Sequence, residues 1–214
     1  RVYIGYDSPT PTYTNAYISN VRILSGIALY NSNFSPATAD FTPVANTKLL
    51  LNSDNQNSYL SMSSLSSPYQ GGAGSTYFSG TQFMSAYHPI NYNFSTNDFT
   101  IEFWVYPTKL AAFNSNRPWI NTASPTNGGG IYLGYNNNTS FYLALGTFGG
   151  GAIADGAVNT IAGTTLFDKW THVCLTRSGS IFTLYQNGSS VWTITNAGTI
   201  PNLNNAITFG GRIS

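Results

Sequence analysis

The sequence predicts an all-β fold, antiparallel and curved, and three observations carry that prediction. Only 7% of the 214 residues are charged, while 15% are aromatic. Polarity therefore rests on Asn, Ser, Thr and Gly; aromatic and β-branched residues suit a pleated surface, and Asn and Gly suit tight turns. Almost every segment with a clear hydrophobic period has a period of two, and no window sustains a helical stripe.

Taken in chain order, Tyr17 to Leu24 and Thr47 to Leu51 read as half-buried strands. Between them, Phe34-Ser35-Pro36 to Pro43 holds two prolines around a short extended stretch, which breaks strand pairing and marks the expected unit boundary. Ser53 to Ser75 is rich in Ser, Asn and Gly and reads as a long surface loop, before strand-like sequence resumes at Thr76-Tyr77-Phe78. In Phe99 to Val105, residues Phe99, Ile101, Phe103 and Val105 line one face and Thr100, Glu102 and Trp104 the other. Gly130 to Gly134 and Ser140 to Leu145 follow, set off by Asn127-Gly128 and the triplet Asn136-Asn137-Asn138. Trp170 to Thr176, Ile181 to Gln186, Val191 to Thr195 and Ala206 to Phe209 complete the set. Asn187-Gly188 between two of these is the strongest hairpin signal, because both residues readily adopt positive φ.

Length is compatible with a single main domain. Val2 to Pro9 (V-Y-I-G-Y-D-S-P) and Ile207 to Ser214 (I-T-F-G-G-R-I-S) share a strand motif at the two ends of the chain. That echo leads us to expect one unit of a tandem array, or a unit whose first strands complete a neighbour.

A net charge of +1 without any run of Lys or Arg gives no electrostatic footprint for nucleic acid or an anionic membrane. No apolar stretch approaches the roughly 18 residues of a membrane span, and no basic segment precedes an apolar one at the N-terminus. Any export signal is expected beyond this stretch of sequence, or release by lysis within a virion. The lone Cys174 alternates within an apparent strand and reads as a small buried hydrophobe.

These strand texts resemble the laminin-G-like jelly roll, the concanavalin A-like sandwich found in tandem in phage and bacterial surface proteins. The matching elements are Asn46 to Leu51, Gly74 to Gly80, Asp98 to Pro107, Trp170 to Gly179, Leu184 to Gly188 and Ile207 to Gly211. Ala16 to Gly26, followed by Ala28 to Phe34, looks like the closing element, which in the family follows the Ile207 strand. The resemblance thus implies an antiparallel two-sheet jelly-roll sandwich out of phase by one unit. Residues 1–45 are expected to supply closing strands and residues 46–214 a jelly roll lacking its last strands. Residues 1–35 would fold back on their own unit or insert into an adjacent copy, the latter a head-to-tail contact that builds rings or filaments.

Laminarinase-type hydrolases share this sandwich, but hydrolysis needs two carboxylates roughly 5 to 9.5 Å apart. Glu102 is the sole glutamate, and Asp98 would lie about 13 Å away along an extended strand. His88 and His172 lack the context of a nucleophile's base, and the resemblance gives His172 a structural place. Gly128-Gly129-Gly130 and Gly149-Gly150-Gly151 lack the Lys-Ser/Thr and helix of a phosphate loop and read as loops. No catalytic residue is assigned. Jelly rolls of this type often carry calcium, yet Asp7, Asp54, Asp98, Asp155 and Asp168 are scattered singly, so no cofactor or metal site is expected.

Glycan binding suits the composition better, since aromatic faces hold sugar C–H surfaces and Asn or backbone groups hold hydroxyls. The candidate ligand-binding residues lie in candidate loops: Trp119 in Arg117-Pro118-Trp119, Tyr132 and Tyr135 leading into Asn136, and Tyr87; the structural alternative makes Trp119 core, Tyr132 cross-strand packing and the Asn-rich turns plain turns. The expected function is a non-catalytic extracellular or virion module for adhesion, one repeat of a phage fibre or surface adhesin. Its partners would be surface glycans or further copies of itself. The alternative is a structural spacer or a filament subunit assembled by strand complementation.

Overall fold

A computed structural model describes residues 14–52, 62–63, 74–79, 84–86, 94–108, 116–122, 129–136, 140–147, 151–158, 160–161, 166–201 and 207–210. Among the described residues there are fourteen strands and no helix. The first seven are β1 (Asn15–Ser25), β2 (Thr47–Leu51), β3 (Met62–Ser63), β4 (Ser75–Ser79), β5 (Met84–Ala86), β6 (Phe99–Pro107) and β7 (Arg117–Asn121). The rest are β8 (Gly129–Asn136), β9 (Ser140–Thr147), β10 (Gly151–Val158), β11 (Thr171–Ser178), β12 (Ile181–Gln186), β13 (Ser189–Thr195) and β14 (Ile207–Phe209).

They form two antiparallel sheets. The first runs β13-β12-β11-β6-β1-β4-β3, with β2 also on β1, and the second runs β10-β9-β8-β7-β14-β5. This is the antiparallel all-β fold that the strand periodicity predicts and the two-sheet sandwich that the resemblance implies. The inward faces share one core, to which β6 gives Phe99, Ile101, Phe103 and Val105, all fully buried. Burial of each contributes about 1.5–3 kcal/mol. From the opposite sheet Trp119 meets Phe103 edge-on, with ring centroids 6.2 Å apart.

β1 lies in the middle of the first sheet. Along one edge it pairs with β6 from Ala16 to Ser25; along the other it pairs first with β4 and then with β2. Ser19 opposes Trp104 and Arg22 opposes Glu102, so three steps on β1 match two on β6, and Asn20 takes φ 49°. That extra residue is a β-bulge. It corrects the uninterrupted alternation expected of Tyr17 to Leu24: Ala16 and Ile18 face the core before the bulge, Val21 and Ile23 after it.

Three segments expected as loops enter strands. Arg117-Pro118-Trp119 opens β7, where Pro118 sits at a register irregularity that spares the ladder its missing N–H. Gly151 opens β10, a strand mostly of small residues that pairs among the described residues with β9 alone and lacks the regular apolar alternation that would reveal it in sequence. Gly129 and Gly130 likewise begin β8. The Asn-Gly hairpin is as predicted, with φ 50° at Asn187 and 79° at Gly188 joining β12 to β13. Val2 to Pro9 lies outside the described residues.

Candidate functional site

Period-two alternation decides what the first sheet shows to the outside. On β6 the residues between the core positions are Thr100, Glu102, Trp104 and Tyr106, and on β11 they are His172, Cys174 and Thr176. The chain between β1 and β2 crosses this outer face as a strap over Thr100, Glu102 and His172.

The strap is fixed at several points. Leu29 N–H donates to Thr100 Oγ1 (2.7 Å), whose hydroxyl donates to the Ile27 carbonyl (3.2 Å). Phe34 N–H donates to the Gly188 carbonyl (2.9 Å), and Ser190 N–H to Asn33 Oδ1 (2.9 Å). A Cβ on Gly188 would fall 1.6 Å from the Phe34 carbonyl oxygen, so glycine is required there by the strap as well as by the turn.

Beneath the strap lies a buried polar cluster. Arg22 donates through Nε and Nη2 to Glu102 Oε1 at 2.8 and 2.6 Å, and through Nη1 to the Thr42 carbonyl at 3.0 Å. Tyr30 donates its hydroxyl to Glu102 Oε2 at 3.2 Å. His172 Nε2 lies 3.2 Å from the same oxygen without hydrogen-bond alignment. Phe41 caps Arg22 at 4.6 Å, and Phe34 stacks on Tyr30 at 3.6 Å and meets His172 and Tyr185 edge-on. Burial, and then the Glu102 charge, push the phenol of Tyr30 and the thiol of Cys174 upward, so both stay protonated and unreactive near neutral pH. Among the described residues Glu102 is met by Arg22, Tyr30 and His172 and by no second carboxylate.

One part of the outer face is not under this cluster. Tyr77 on β4 opposes Tyr17 on β1, Tyr17 opposes Tyr106 on β6, and Trp170, the residue before β11, continues the line past Tyr106. All four are partly exposed. Tyr17 and Tyr77 stack with centroids 4.6 Å apart; Tyr106 meets Tyr17 at 5.9 Å and Trp170 at 5.7 Å, both edge-on. The result is a corrugated aromatic row across four adjacent strands. On one side Asn15 pairs with Ser79; on the other lie the buried Ser19, whose hydroxyl donates to the Gly74 carbonyl (2.9 Å), and the partly exposed Trp104. The indole Nε1 of Trp104 is buried without a hydrogen-bond partner.

A laminin G model of the concanavalin A-like lectin/glucanases superfamily matches residues 78–214, well over half of the chain. The chain belongs to the concanavalin A-like lectin/glucanase superfamily. Membership points to a carbohydrate-binding or structural module, in a superfamily that holds both lectins and glycosidases. No curated protein matches the chain.

Within this lectin/glucanase fold, the predicted ligand residues are dispersed. Trp119 is fully buried among Phe103, Tyr135 and Phe141, and Tyr135 is 1% exposed beside Phe167. These rings are core, which corrects their reading as sugar contacts: a ring enclosed on all sides presents no face to a ligand. Tyr132 is on the outer face of the second sheet but only 6% exposed, its ring edge-on to Tyr142 at 5.4 Å. Asn136 is the last residue of β8 and partly exposed, and Tyr87 lies outside the described residues. Beside Tyr132, the partly exposed Tyr142 donates to the exposed Asp155 at 2.5 Å. Burial first, and then Asp155, raise the Tyr142 phenol to about 12. Among the described residues no group of three His, Cys, Asp or Glu side chains is placed to hold a metal ion.

The aromatic row escaped the sequence reading although each member was visible. Alternation puts Tyr17, Tyr106 and Trp170 on outward positions, but only knowledge of which strands are neighbours sets them side by side.

Proposed function

We propose that this chain is a non-catalytic carbohydrate-recognition module of an extracellular or virion-borne protein, serving adhesion. The observation that carries the proposal is the Tyr77–Tyr17–Tyr106–Trp170 row, four partly exposed rings on the part of the outer face that lies beyond the buried cluster. Such surfaces suit neutral sugars, whose C–H faces pack on rings while hydroxyls find Asn, Ser and phenol partners. Superfamily membership supports the same class of ligand.

Absence of catalysis is part of the proposal. The sole glutamate is fully buried, held by Arg22 and Tyr30 and roofed by the strap. Glycoside hydrolysis needs a second carboxylate across the scissile bond and room for the sugar between them. Neither is found at Glu102 among the described residues.

The test is binding to an array of neutral and charged glycans, with hydrolysis assayed on whatever binds. The proposal expects binding without turnover, weakened in Tyr106→Ala. Polysaccharide cleavage abolished by Glu102→Gln in a folded variant would overturn the non-catalytic reading.

The architectural alternative has one observation in its favour. The strand β13 at the end of the first sheet carries neither charge nor proline, and among the described residues it pairs with β12 alone, its outer edge being met at Ser190 by Asn33. It would predict concentration-dependent fibres in the absence of any glycan.

A further inference from the structure

We infer that Tyr17 and Tyr77 form an oxidative cross-linking site, at which a haem peroxidase with hydrogen peroxide joins the two rings into dityrosine and ties β1 covalently to β4. The two residues are directly opposite across the antiparallel β1–β4 pair, so their side chains rise from one face with Cβ atoms about 4.5–5.5 Å apart. Their rings stack, with centroids 4.6 Å apart and planes 29° from parallel. In that arrangement a small slide of one ring brings together the carbons that flank the two hydroxyl-bearing positions. Whether or not the row also binds a glycan, this stacking is enough for the chemistry.

Both strands hold their rings in place. β1 pairs with β6 along its other edge and β4 pairs with β3, so neither tyrosine sits on a free ribbon. Groups fixed in contact react far faster than the same groups on separate molecules in dilute solution. Both residues are partly exposed, which admits the oxidant and lets the phenol protons leave to water.

Each phenol gives up one electron and one proton and becomes a phenoxyl radical. The two radicals combine at ring carbons next to the oxygens, forming one C–C bond, and the hydrogens on those carbons move to the oxygens to restore both phenols. Two electrons and two protons have then left the protein. One hydrogen peroxide takes them up at the peroxidase and becomes two waters.

The rest of the row feeds the pair. Tyr106 meets Tyr17 at 5.9 Å and Trp170 meets Tyr106 at 5.7 Å, so an electron lost from either outer ring is replaced through ring contacts from Tyr17. Formation of the C–C bond traps the oxidation there. Cys174 is a poor rival sink, since it is fully enclosed and burial, then Glu102, keep its thiol protonated. Two other tyrosine contacts stand among the described residues, Tyr17–Tyr106 at 81° and Tyr132–Tyr142 at 86°. Both are edge-on, which sets one ring's face rather than its reactive carbons against the other ring.

The bond would supply a tie that cysteine cannot, because the chain has a single cysteine and forms no internal disulfide. Joining residues 17 and 77 closes a loop and restricts the unfolded chain, as a disulfide does. β1 also carries Arg22, so the tie secures the strand on which the buried cluster depends.

The experiment treats the full chain, dilute and folded, with a plant haem peroxidase and stoichiometric hydrogen peroxide. Dityrosine fluorescence, intact mass, mobility on denaturing gels and mapping of joined peptides are the readouts. We expect a monomeric product lighter by two hydrogen atoms, with the peptides holding Tyr17 and Tyr77 joined and the melting temperature raised by roughly 5–10 °C. Tyr17→Phe and Tyr77→Phe keep both rings and the packing, and each should cut the yield roughly tenfold or more. Tyr142→Phe should give the full yield.

Dityrosine that persists in both variants of the pair, or that maps to Tyr17–Tyr106 or Tyr132–Tyr142, overturns the inference. So does its absence from protein that stays folded through the treatment. A product joined only between two copies overturns it as well, and would place β1 in the sandwich of a neighbour.

Discussion

Arg22 and Glu102, eighty residues apart in sequence, oppose each other across the β1–β6 pair, with Nη2 2.6 Å from Oε1. Both are enclosed, with side-chain exposures of 7% and 0%. The contact depends on the bulge at Asn20, since without the extra residue the next outward position on β1 would be Val21. A residue of the N-terminal strand thereby neutralises the one glutamate of the chain, and the strap seals the pair from water.

Removing one partner should therefore cost far more than removing both. Glu102→Gln and Arg22→Met each leave an uncompensated buried group and are expected to lose about 3–5 kcal/mol in urea unfolding. The double variant Arg22→Met/Glu102→Leu should lose much less than the sum. Additive losses would show that the two do not interact.

Gly188→Ala tests the strap. The new Cβ would overlap the Phe34 carbonyl and sit at a positive φ, a backbone state that by itself costs about 1–3 kcal/mol outside glycine. We expect a larger loss than for Gly179→Ala, which has φ +59° in the neighbouring turn but nothing within 4 Å of the added carbon. Equal melting temperatures for the two would mean that the strap does not bear on Gly188.

Trp119→Ala should act on stability and not on recognition. Its ring is fully buried, so truncation opens a cavity and costs about 3–5 kcal/mol. Whatever fraction stays folded should bind glycan with unchanged affinity. Loss of affinity in a fully folded Trp119 variant would restore this residue to the site.

Tyr142 sets a pH expectation. Its folded phenol is raised from 10.0 to about 12, so the folded state holds a proton that the unfolded chain gives up from pH 10 onward. Stability is thus unaffected below pH 10 and declines between 10 and about 12; Tyr30, Tyr135 and Tyr185, also raised mainly by burial, add to that decline. Asp155→Asn should lower the Tyr142 transition in a spectrophotometric titration part of the way, because burial is the larger cause. An unchanged transition would show that Asp155 makes no contribution.

What the sequence revealed and what it hid divide along physical lines. β6, β11 and β12 were legible because they alternate, and β12 and β13 because they flank Asn-Gly. β10 was not, because a strand of Gly and Ala at a sheet edge has no apolar period. Trp119 stood open between core and ligand contact because Arg117-Pro118-Trp119 reads as a loop, yet Pro118 is accommodated at a register irregularity within β7. The row was hidden for another reason: Tyr17, Tyr77, Tyr106 and Trp170 become neighbours only through non-local pairing, and one-residue register shifts such as that at Asn20 are invisible to periodicity. The resemblance identified a closing element near the N-terminus, and β1 and the strap occupy that stretch.

All of this rests on β1 belonging to the sandwich of its own chain, because β1 supplies Arg22 to the buried cluster and Tyr17 to the row. Hydrogen exchange of the β1 amides, followed from dilute to concentrated protein, tests this most directly. We expect Ile18, Arg22 and Ile23 to exchange as slowly as the amides of β6, through global unfolding alone and independently of concentration. Rapid exchange in dilute monomer, with protection gained as copies associate, would show that β1 completes a neighbour instead and would contradict the account.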